Sequence, residues 1–317
     1  MNVVNIVPMR PSAPPAANPH VPVLLEETLA ALAPRSGMTI VDATLGAGGH
    51  SEALLEAGAR VIGFDRDEMA LSLAKERLGR FGEAFVSVHA AFSTLREGLD
   101  GIGVRTVDAV LADIGVSSMQ LDQASRGMSF RQEGPLDMRM DRSSGETALE
   151  LIERLDDDEL ADIIYKYGEE RRSRRVARCI KQAFAAGELH TTLDLRRAVV
   201  RAVGPARVGG VDPSTRTFQA LRIAVNGELD ELSALLASGP TVLSPGGVLA
   251  VITFHSLEDR LVKRAFADRE TWSPLSKKPI PASEKEMLTN PRARSAKLRA
   301  ARLVADESGF DEDEVLS

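Results

Sequence analysis

A short glycine-rich segment offers the first chemistry that the residues of this chain can do. It begins at Asp42, contains Gly46, Gly48 and Gly49, and ends at His50, directly after an apolar stretch typical of a buried strand. Glycine has no side chain, so the backbone of such a turn lets a ligand approach closely at the end of the strand. The segment therefore predicts a cofactor site at the first turn of an α/β sheet.

The residues around this turn indicate which cofactor it suits. Dinucleotide-binding turns carry a third glycine where this chain has Ser51, which disfavours a nicotinamide cofactor. A carboxylate such as Asp42, at the end of the strand, attracts a cation and repels a pyrophosphate. S-adenosylmethionine has an ammonium and a sulfonium group and no pyrophosphate, and Asp65, at the end of the next strand, has oxygens for both ribose hydroxyls. We therefore expect S-adenosylmethionine, with Asp42, Gly46 and Asp65 in its site.

Three further residues follow strands of the same predicted sheet. Asp113 ends the fourth strand, where its carboxylate can accept a hydrogen bond from an amine; capping of the next helix is the alternative role. His255 follows the fifth strand and is the second catalytic candidate, with a capping or core role equally open. Phe92 follows the third strand and can lie against an adenine ring, although a lone aromatic also suits the core. We expect Asp113 and His255 to carry the catalysis, with no metal ion required.

The chain contains a single cysteine, Cys179. One thiol excludes an internal disulfide and a cysteine-rich metal cluster, which favours a reducing cytoplasm. It also bears on mechanism, because methyl transfer to a ring carbon can begin with attack by a cysteine. Cys179 lies among arginines, far in sequence from the strand ends, so that mechanism is disfavoured.

The pattern of elements predicts an α/β fold with a mostly parallel sheet and an inserted all-helical domain. With S-adenosylmethionine as the expected cofactor, the α/β part is expected to be a Rossmann-like methyltransferase core. Apolar strands at 38–44, 60–64, 85–88, 107–112 and 248–253 alternate with helices at 51–57, 68–78, 92–99, 215–236 and 258–267. Helical periodicity at 147–153, 156–166, 170–186 and 192–203 marks the insert. Residues 295–305 suit a last strand slightly better than a helix. We expect core segments at 20–140 and 213–304, the insert at 141–212, and disordered tails at 1–19 and 305–317. No stretch is long and apolar enough to predict a membrane span.

The net charge of −7 conceals basic districts. Six acidic residues lie within 305–317, and without them 39 basic residues face 40 acidic ones, a net of −1. Residues 171–207 carry ten basic and two acidic residues, a net of +8, and 277–302 carry +6. Patches of this kind attract phosphate backbones, although solvated helix faces are the alternative. The RNA-binding candidates in the insert are Arg171, Arg172, Arg174, Arg175, Arg178 and Lys181.

Long motifs in one order resemble those of the bacterial MraW family. They are HVPVLLE at 20–26, DATLGAGGHS at 42–51, ADIGVSS at 112–118, GPLDMRMD at 134–141, YGEER at 167–171, TRTFQALRI at 215–223, FHSLEDR at 254–260 and NPRARSAKLR at 290–299. The resemblance covers residues 20 to about 302. It implies methylation of N4 of a cytosine in 16S ribosomal RNA, within the small ribosomal subunit near the decoding centre. The family's cofactor-binding positions fall on Gly48, Gly49, His50, Asp65, Phe92, Asp113 and Gln120.

Some choices remain open on the sequence alone. Arg139 is a candidate for contacting an RNA phosphate, with Asp137 and Asp141 lining the target pocket, but an ion-pair network explains these residues equally well. Phe130 and Phe254 are the candidates for stacking on the target base. A non-catalytic RNA-binding assembly factor and a nicotinamide-dependent oxidoreductase are the alternative functions. The oligomeric state is undetermined, a homodimer being one option.

Overall fold

The computed structural model describes residues 22–116, 118–205 and 210–305. The predicted tail at 1–19 lies outside these residues, as does all but the first residue of the predicted tail at 305–317. No helix in the described part of the chain is long and apolar enough to cross a membrane.

A single mixed sheet organises the described residues. Its strands are β1 (Thr39–Asp42), β2 (Arg60–Asp65), β3 (Phe85–His89), β4 (Val107–Asp113), β5 (Leu243–Thr253), β6 (Trp272–Pro274), β7 (Ile280–Pro281) and β8 (Lys297–Leu303). Their order is β3-β2-β1-β4-β5-β8-β6, with β7 also paired to β8. The first five strands pair in parallel, whereas β8 runs antiparallel to β5, β6 and β7. The predicted strand at 295–305 is thus confirmed as β8.

Helices cover both faces of this sheet and form a separate group beside it. They are α1 (Leu25–Leu32), α2 (Gly49–Glu56), α3 (Glu68–Leu78), α4 (Leu95–Gly101), α5 (Ser118–Asp122), α6 (Ala148–Arg154), α7 (Asp157–Gly168), α8 (Ser173–Ala185), α9 (Thr192–Val203), α10 (Thr215–Asn226), α11 (Glu228–Val242), α12 (Ser256–Ala265) and α13 (Glu284–Thr289). Neighbouring strand residues such as Ile40 and Val41 belong to different hydrophobic clusters. Both faces of the sheet are therefore buried, as parallel strands require.

The helices α6 to α9, which we call the helical group, share a hydrophobic cluster of their own. Leu151, Ile164, Ile180 and Leu195 are among its buried members. Three of these helices begin with a reciprocal capping box, including the predicted one between Asp156 and Glu159. The same cluster takes in residues outside 141–212, among them those of α10, so the boundaries of the insert stay a prediction.

Two predicted helices were wrong in extent. The continuous helix at 215–236 is broken into α10 and α11 at Gly227, which has a left-handed conformation with φ of 60°. The helix predicted from residue 170 begins only at Ser173, because Glu169 is left-handed with φ of 50° and the Glu170 side chain accepts a hydrogen bond from the amide of Arg172. Arg171 and Arg172 therefore precede α8.

Candidate active site

Three acidic residues meet at the carboxyl edge of the sheet. Asp42, Asp65 and Asp113 are the last residues of β1, β2 and β4, and β1 lies between the other two strands. The chain reverses its winding direction at β1 and β4, and the carboxyl ends of the strands there form the usual ligand crevice of such sheets. The structure thus brings together the acids that the sequence selected.

Asp42 lies beneath the turn. Its side chain is 1% exposed, with Oδ2 accepting from the Ser51 hydroxyl at 2.7 Å and Oδ1 from the Thr44 amide at 3.2 Å. Burial raises the pKa of this carboxyl group. Since both oxygens have partners within the chain, Asp42 contributes by holding the turn and by its charge.

Asp65 lies at the surface of the same turn and is partly exposed. Its Oδ2 accepts from the Gly46 amide and its Oδ1 from the Asp67 amide, both at 2.8 Å. A carboxylate oxygen has a second lone pair, so each can still accept a hydroxyl hydrogen bond. The two backbone bonds fix the carboxylate in place, as the proposed contact with a ribose requires.

Gly48 and Gly49 are needed for packing. A Cβ atom on Gly48 would lie 2.8 Å from Cδ1 of Leu78, and one on Gly49 would lie 2.6 Å from Cγ of Pro22. Gly48 also has φ of 79°, which disfavours other residues. The absence of these side chains therefore lets α2 pack against α3 and the segment before α1. The sequence had suggested a different use for these glycines, namely the close approach of a ligand.

His50 and Asp113 face each other across this packing. Nε2 of His50 lies 2.9 Å from the carbonyl oxygen of Val23, so Nε2 carries the proton and donates. Burial lowers the pKa of His50 to about 4, and the neutral ring places Nδ1 at 3.8 Å from Oδ2 of Asp113. The Asp113 amide donates to the Thr44 hydroxyl at 2.7 Å, which ties β4 to the glycine turn. His50 thus lies beside Asp113 as a neutral neighbour, without a hydrogen bond to it.

Negative charge is concentrated at this edge. Burial raises the pKa of Asp113 well above its ordinary value, and the nearby charges of Asp42 and Glu258 raise it further. Burial likewise raises the pKa of Asp65, and the charges of Asp67 and Asp42 add to this. A positively charged ligand would relieve this repulsion, so the donor set fits the sulfonium and ammonium of S-adenosylmethionine.

Gln120 reaches the site through a residue that sequence reasoning missed. Its Nε2 donates to Oδ2 of Asp67 at 3.2 Å, and the buried Arg126 donates to the same oxygen at 2.8 Å. Asp67 also caps α3 by accepting from the Met69 amide. Its position directly before a helix and two residues after Asp65 was the available signal, but the sequence offers no sign that Arg126 is buried against it.

His255 has the capping role that the sequence left open as its alternative. It caps α12 in a reciprocal box with Glu258, and its Nε2 lies 3.0 Å from Oε1 of Glu258. Glu258 is fully buried, and its Oε2 accepts from the amides of Phe254 and His255. The structure thus shows the capping role of His255, while a catalytic role for it stays a prediction beside that of Asp113.

The same corner contains the one three-residue group among the described residues with the spacing of metal ligands. Glu228, His255 and Glu258 each offer an atom within 4.8 Å of the others. Both oxygens of Glu228, however, accept from Arg222, at 2.7 and 2.8 Å. We interpret the group as a buried ion-pair cluster at the junction of α10, α11 and α12.

The aromatic candidates separate into two places. Phe92 is partly buried and follows β3, and Phe254 packs over Gly115, two residues after Asp113. Phe130 instead packs edge-on against Phe218, with ring centroids 5.3 Å apart, in the cluster of the helical group. Of the two proposed stacking residues, Phe254 therefore lies beside the acidic edge.

The basic candidates of the helical group differ in their exposure to solvent and in their hydrogen bonds. Those on the solvent side are Arg171, Arg172, Arg174, Arg175 and Arg178. Arg172 also donates to the carbonyl of Val203. Lys181 is partly buried and donates to the carbonyl oxygens of Ile152 and Leu155, at 2.9 and 2.6 Å, at the end of α6. This contact stabilises the end of a helix, so Lys181 is less suited to an RNA phosphate than its neighbours.

Arg139 belongs to an ion-pair network. Its Nε donates to Oδ1 of Asp137 at 2.7 Å, and Arg142 lies 3.4 Å from Oδ2. Although burial opposes it, hydrogen bonds from Arg139 lower the pKa of Asp137. Asp141 accepts from the hydroxyls of Ser143 and Ser144. This arrangement is the structural alternative that the sequence left open for these residues.

Cys179 lies on α8 and is partly buried in the hydrophobic cluster of the helical group. The carboxyl edge of the sheet is formed by other elements. This location agrees with the inference that the thiol takes no part in catalysis.

The chain resembles known proteins over most of its length. The model of the MraW methylase family matches residues 17–304. A ribosomal RNA small subunit methyltransferase H of Sorangium cellulosum is 68% identical over 308 residues, covering 96% of this chain and 98% of that one. The protein of that name from Methylobacterium nodulans is 49% identical, covering 89% of each. Among solved structures, TrmN from Thermus thermophilus matches 89% of this chain and 48% of its own at 14% identity, with a TM-score of 0.43.

These matches confirm the class of enzyme that the sequence predicted, a methyltransferase that uses S-adenosylmethionine. The order of the strands places a ligand crevice at their carboxyl ends, where the acidic residues lie. The chain belongs to the MraW methylase family.

Proposed function

We propose that this enzyme methylates the exocyclic N4 of one cytosine in 16S ribosomal RNA, in the small subunit near the decoding centre. The observation that carries the proposal is Asp113, whose Oδ1 is buried and has no hydrogen-bond partner among the described residues. A buried acceptor without a partner is costly unless a ligand completes it. An exocyclic amine has the N–H groups that this oxygen lacks.

The cofactor would be held by residues around the glycine turn. Asp65 would bind the ribose, Phe92 would lie against the adenine, and the charge of Asp42 would favour the cationic end. S-adenosylmethionine supplies the methyl group when bound. Since the backbone bonds to Asp65 already fix its carboxylate, little ordering is needed on binding.

Asp113 acts on the amine. The lone pair of N4 is delocalised into the cytosine ring, so the amine is a poor nucleophile until an acceptor draws on its N–H bonds. The raised pKa of Asp113 makes its carboxylate a stronger proton acceptor, able to take the proton that becomes acidic as N4 is methylated. His50 lies 3.8 Å from this carboxylate and stays neutral, so it adds no positive charge that would lower the proton affinity of Asp113.

The helical group would hold the RNA. Arg174, Arg175 and Arg178 are exposed on α8, within the district of net charge +8. Exposed arginines on one helix suit the phosphates around a flipped or single-stranded nucleotide. Action within the small subunit and a cytoplasmic location are further predictions, and a homodimer remains one option for the oligomeric state.

Mass spectrometry of small-subunit RNA tests the proposed product. RNA from cells lacking this protein should lose one N4-methylcytidine, and a plasmid with the wild-type gene should restore it. The Asp113→Asn variant should not. An unchanged set of methylated nucleosides in the deletion strain would refute the proposed substrate.

A binding titration separates the two alternative functions from this proposal. Radiolabelled S-adenosylmethionine should bind the purified protein, with NADH as the control ligand. Retention of NADH alone would indicate an oxidoreductase, and RNA binding without any cofactor would indicate a non-catalytic assembly factor.

A further inference from the structure

A cavity is lined by residues of α7, α10 and α12 and by the residues that follow α7. Its volume is about 750 Å³, and the buried apolar side chain of Leu257 forms part of its lining. We call it the interdomain pocket. Its polar and aromatic lining comprises Tyr165, Lys166, Glu169, Arg171, Arg216 and Arg260.

Glu169 fastens the two sides of this pocket together. It follows α7 in a left-handed conformation, with Oε1 accepting from Arg260 at 2.9 Å and Oε2 from the Ser256 hydroxyl at 2.8 Å. The hydrogen bonds from Ser256 and then from Arg260 lower the pKa of Glu169, so it remains ionised. This residue lies in the YGEER motif, to which the proposed function assigns no role.

The end of α7 also lies close to α10, because Gly168 has no side chain. A Cβ atom on Gly168 would lie 2.6 Å from the carbonyl oxygen of Arg216, so a larger residue would separate the helices. Gln219 also donates to the carbonyl of Tyr167 at 2.9 Å. The pocket is thus a built feature of the junction, held by packing and by hydrogen bonds.

The lining is basic. Lys166, Arg171, Arg216 and Arg260 line it together with one carboxylate, that of Glu169. Glu170, outside the pocket, lies 3.8 Å from Arg216. The side chains of Arg216 and Arg260 remain 60% and 48% exposed, so both can reach a bound anion.

Tyr165 adds an aromatic surface at the rim. Its side chain is 62% exposed, so the ring is outside the core and open to solvent. Basic groups around an exposed aromatic ring are the composition of sites for single-stranded nucleic acid, where phosphates meet the charges and a base stacks on the ring. This composition favours RNA over a protein or a lipid surface.

A short series of contacts links the pocket to the segment that follows the proposed catalytic residue. Ser256, which Glu169 holds, comes two residues after Phe254, and the ring of Phe254 packs over Gly115 in the segment that follows Asp113. A strand whose target base reaches Asp113 would therefore have a neighbouring nucleotide at the pocket.

We propose that the interdomain pocket binds the RNA strand next to the target cytosine, with phosphates on Lys166 and Arg216 and a flanking base stacked on Tyr165. The proposal rests on the proposed function and deepens it, by adding a subsite for the flanking nucleotide to the exposed arginines of α8.

The test measures binding of a fluorescein-labelled single-stranded RNA of about twelve nucleotides that contains one cytosine. Tyr165→Ala should weaken binding about five- to a hundred-fold, the range for losing one stacked base, whereas Tyr165→Phe should bind like the wild type. The double variant Lys166→Gln, Arg216→Gln should flatten the dependence of binding on salt by about one to two units of slope. The matched control, Arg60→Gln with Arg105→Gln, removes two exposed charges from the opposite edge of the sheet and should leave the slope unchanged.

Cofactor binding should stay unchanged in all these variants, which separates a lost contact from a lost fold. Wild-type RNA affinity in Tyr165→Ala would overturn the proposal. So would unchanged affinity for the oligonucleotide together with lost binding to intact small subunits, which would assign the pocket to a protein surface. The proposed function fails separately, if the wild-type enzyme leaves no methyl group on small-subunit RNA.

Discussion

At the scale of single residues, the chemistry of the site depends on how burial changes the pKa values of two neighbouring residues, Asp113 and His50. Burial raises the pKa of Asp113, an acid, and lowers that of His50, a base, so both are driven toward their neutral forms. The pair at 3.8 Å is therefore not an ordinary ion pair. Burial thus gives Asp113 a strong proton affinity and keeps His50 neutral beside it.

Replacing Asp113 with asparagine removes the proton acceptor and preserves the shape. We expect turnover to fall about a hundred- to ten-thousand-fold, the usual contribution of a general base, with a much smaller loss of cofactor affinity. In the wild type, kcat/KM should rise with pH through the raised pKa of Asp113, and the variant should lose this rise. Asp108→Asn is the control, because Asp108 is on the same strand at its opposite end and binds the Thr39 amide. Equal losses of turnover and cofactor binding would assign Asp113 to the cofactor alone.

His50 should make the free energy of unfolding depend on pH. Its pKa is about 4 in the folded chain and 6.5 ordinarily, so between these values the unfolded chain binds a proton that the folded chain does not. Stability is therefore lost as pH falls through this window. Linkage gives about 2 kcal/mol between pH 7 and pH 5. The raised pKa values of Asp42, Asp65 and Asp113 act in the opposite direction, so the comparison must be between variants.

The measurement is urea unfolding of the wild type and His50→Gln at both pH values. The glutamine amide can still donate to the Val23 carbonyl, and the variant should lose about 2 kcal/mol less than the wild type on acidification. His89→Gln, at a side chain that is 51% exposed, is the control and should follow the wild type. An identical pH dependence in His50→Gln would contradict the assignment.

At the scale of elements, α8 has two faces with different tasks. Val176, Ala177 and Ile180 are buried in the hydrophobic cluster, whereas the arginines at 174, 175 and 178 face solvent. The periodicity of a helix separates the faces, so the arginines can be changed without disturbing the packing. If these arginines only face solvent, replacing them should leave the salt dependence of RNA binding unchanged. If they contact phosphates, replacing them should reduce that dependence.

Changing Arg174, Arg175 and Arg178 to glutamine should weaken RNA binding and lower the salt slope by about two to three units, since each phosphate contact contributes slightly less than one. Cofactor affinity should not change. The triple variant of Arg35, Arg60 and Arg105 to glutamine removes the same charge from exposed positions near the amino ends of β1, β2 and β4. If both triple variants alter the slope equally, the effect is one of net charge and α8 has no special role.

At the scale of the whole molecule, the thiol and the acidic edge belong to different parts of the fold. Cys179 packs in the helical group, and Asp113 ends a strand of the sheet. Direct transfer to N4 needs no thiol, whereas transfer to carbon 5 needs one at the target base.

Cys179→Ala should therefore retain most of the activity on small subunits from the deletion strain. Nucleoside analysis should give N4-methylcytidine for both proteins. Formation of 5-methylcytidine, or a covalent adduct on a fluorocytosine RNA that disappears in the variant, would overturn the direct mechanism.

The sequence by itself determined the class of fold and most of the acidic edge. Apolar periodicity and the glycine turn are local signals, and parallel strands bring their carboxyl ends to one edge, so Asp42, Asp65 and Asp113 could be placed together without coordinates. For β8, which is rich in basic residues, the sequence favoured a strand only slightly over a helix, and pairing with β5 decided it.

Only the tertiary structure decided what those residues touch. Asp67 meets Arg126 across 59 residues, Glu169 meets Arg260 across 91, and Gly48 makes room for Leu78. Such contacts depend on how elements pack, and a pattern of a few residues has no information about partners so distant in sequence. Likewise, the sequence suggests that Lys181 is a surface cation like its neighbours, whereas in the structure it donates to a carbonyl oxygen at the end of α6. Local periodicity thus determined the elements, and packing between distant elements determined which side chains remain free to meet RNA.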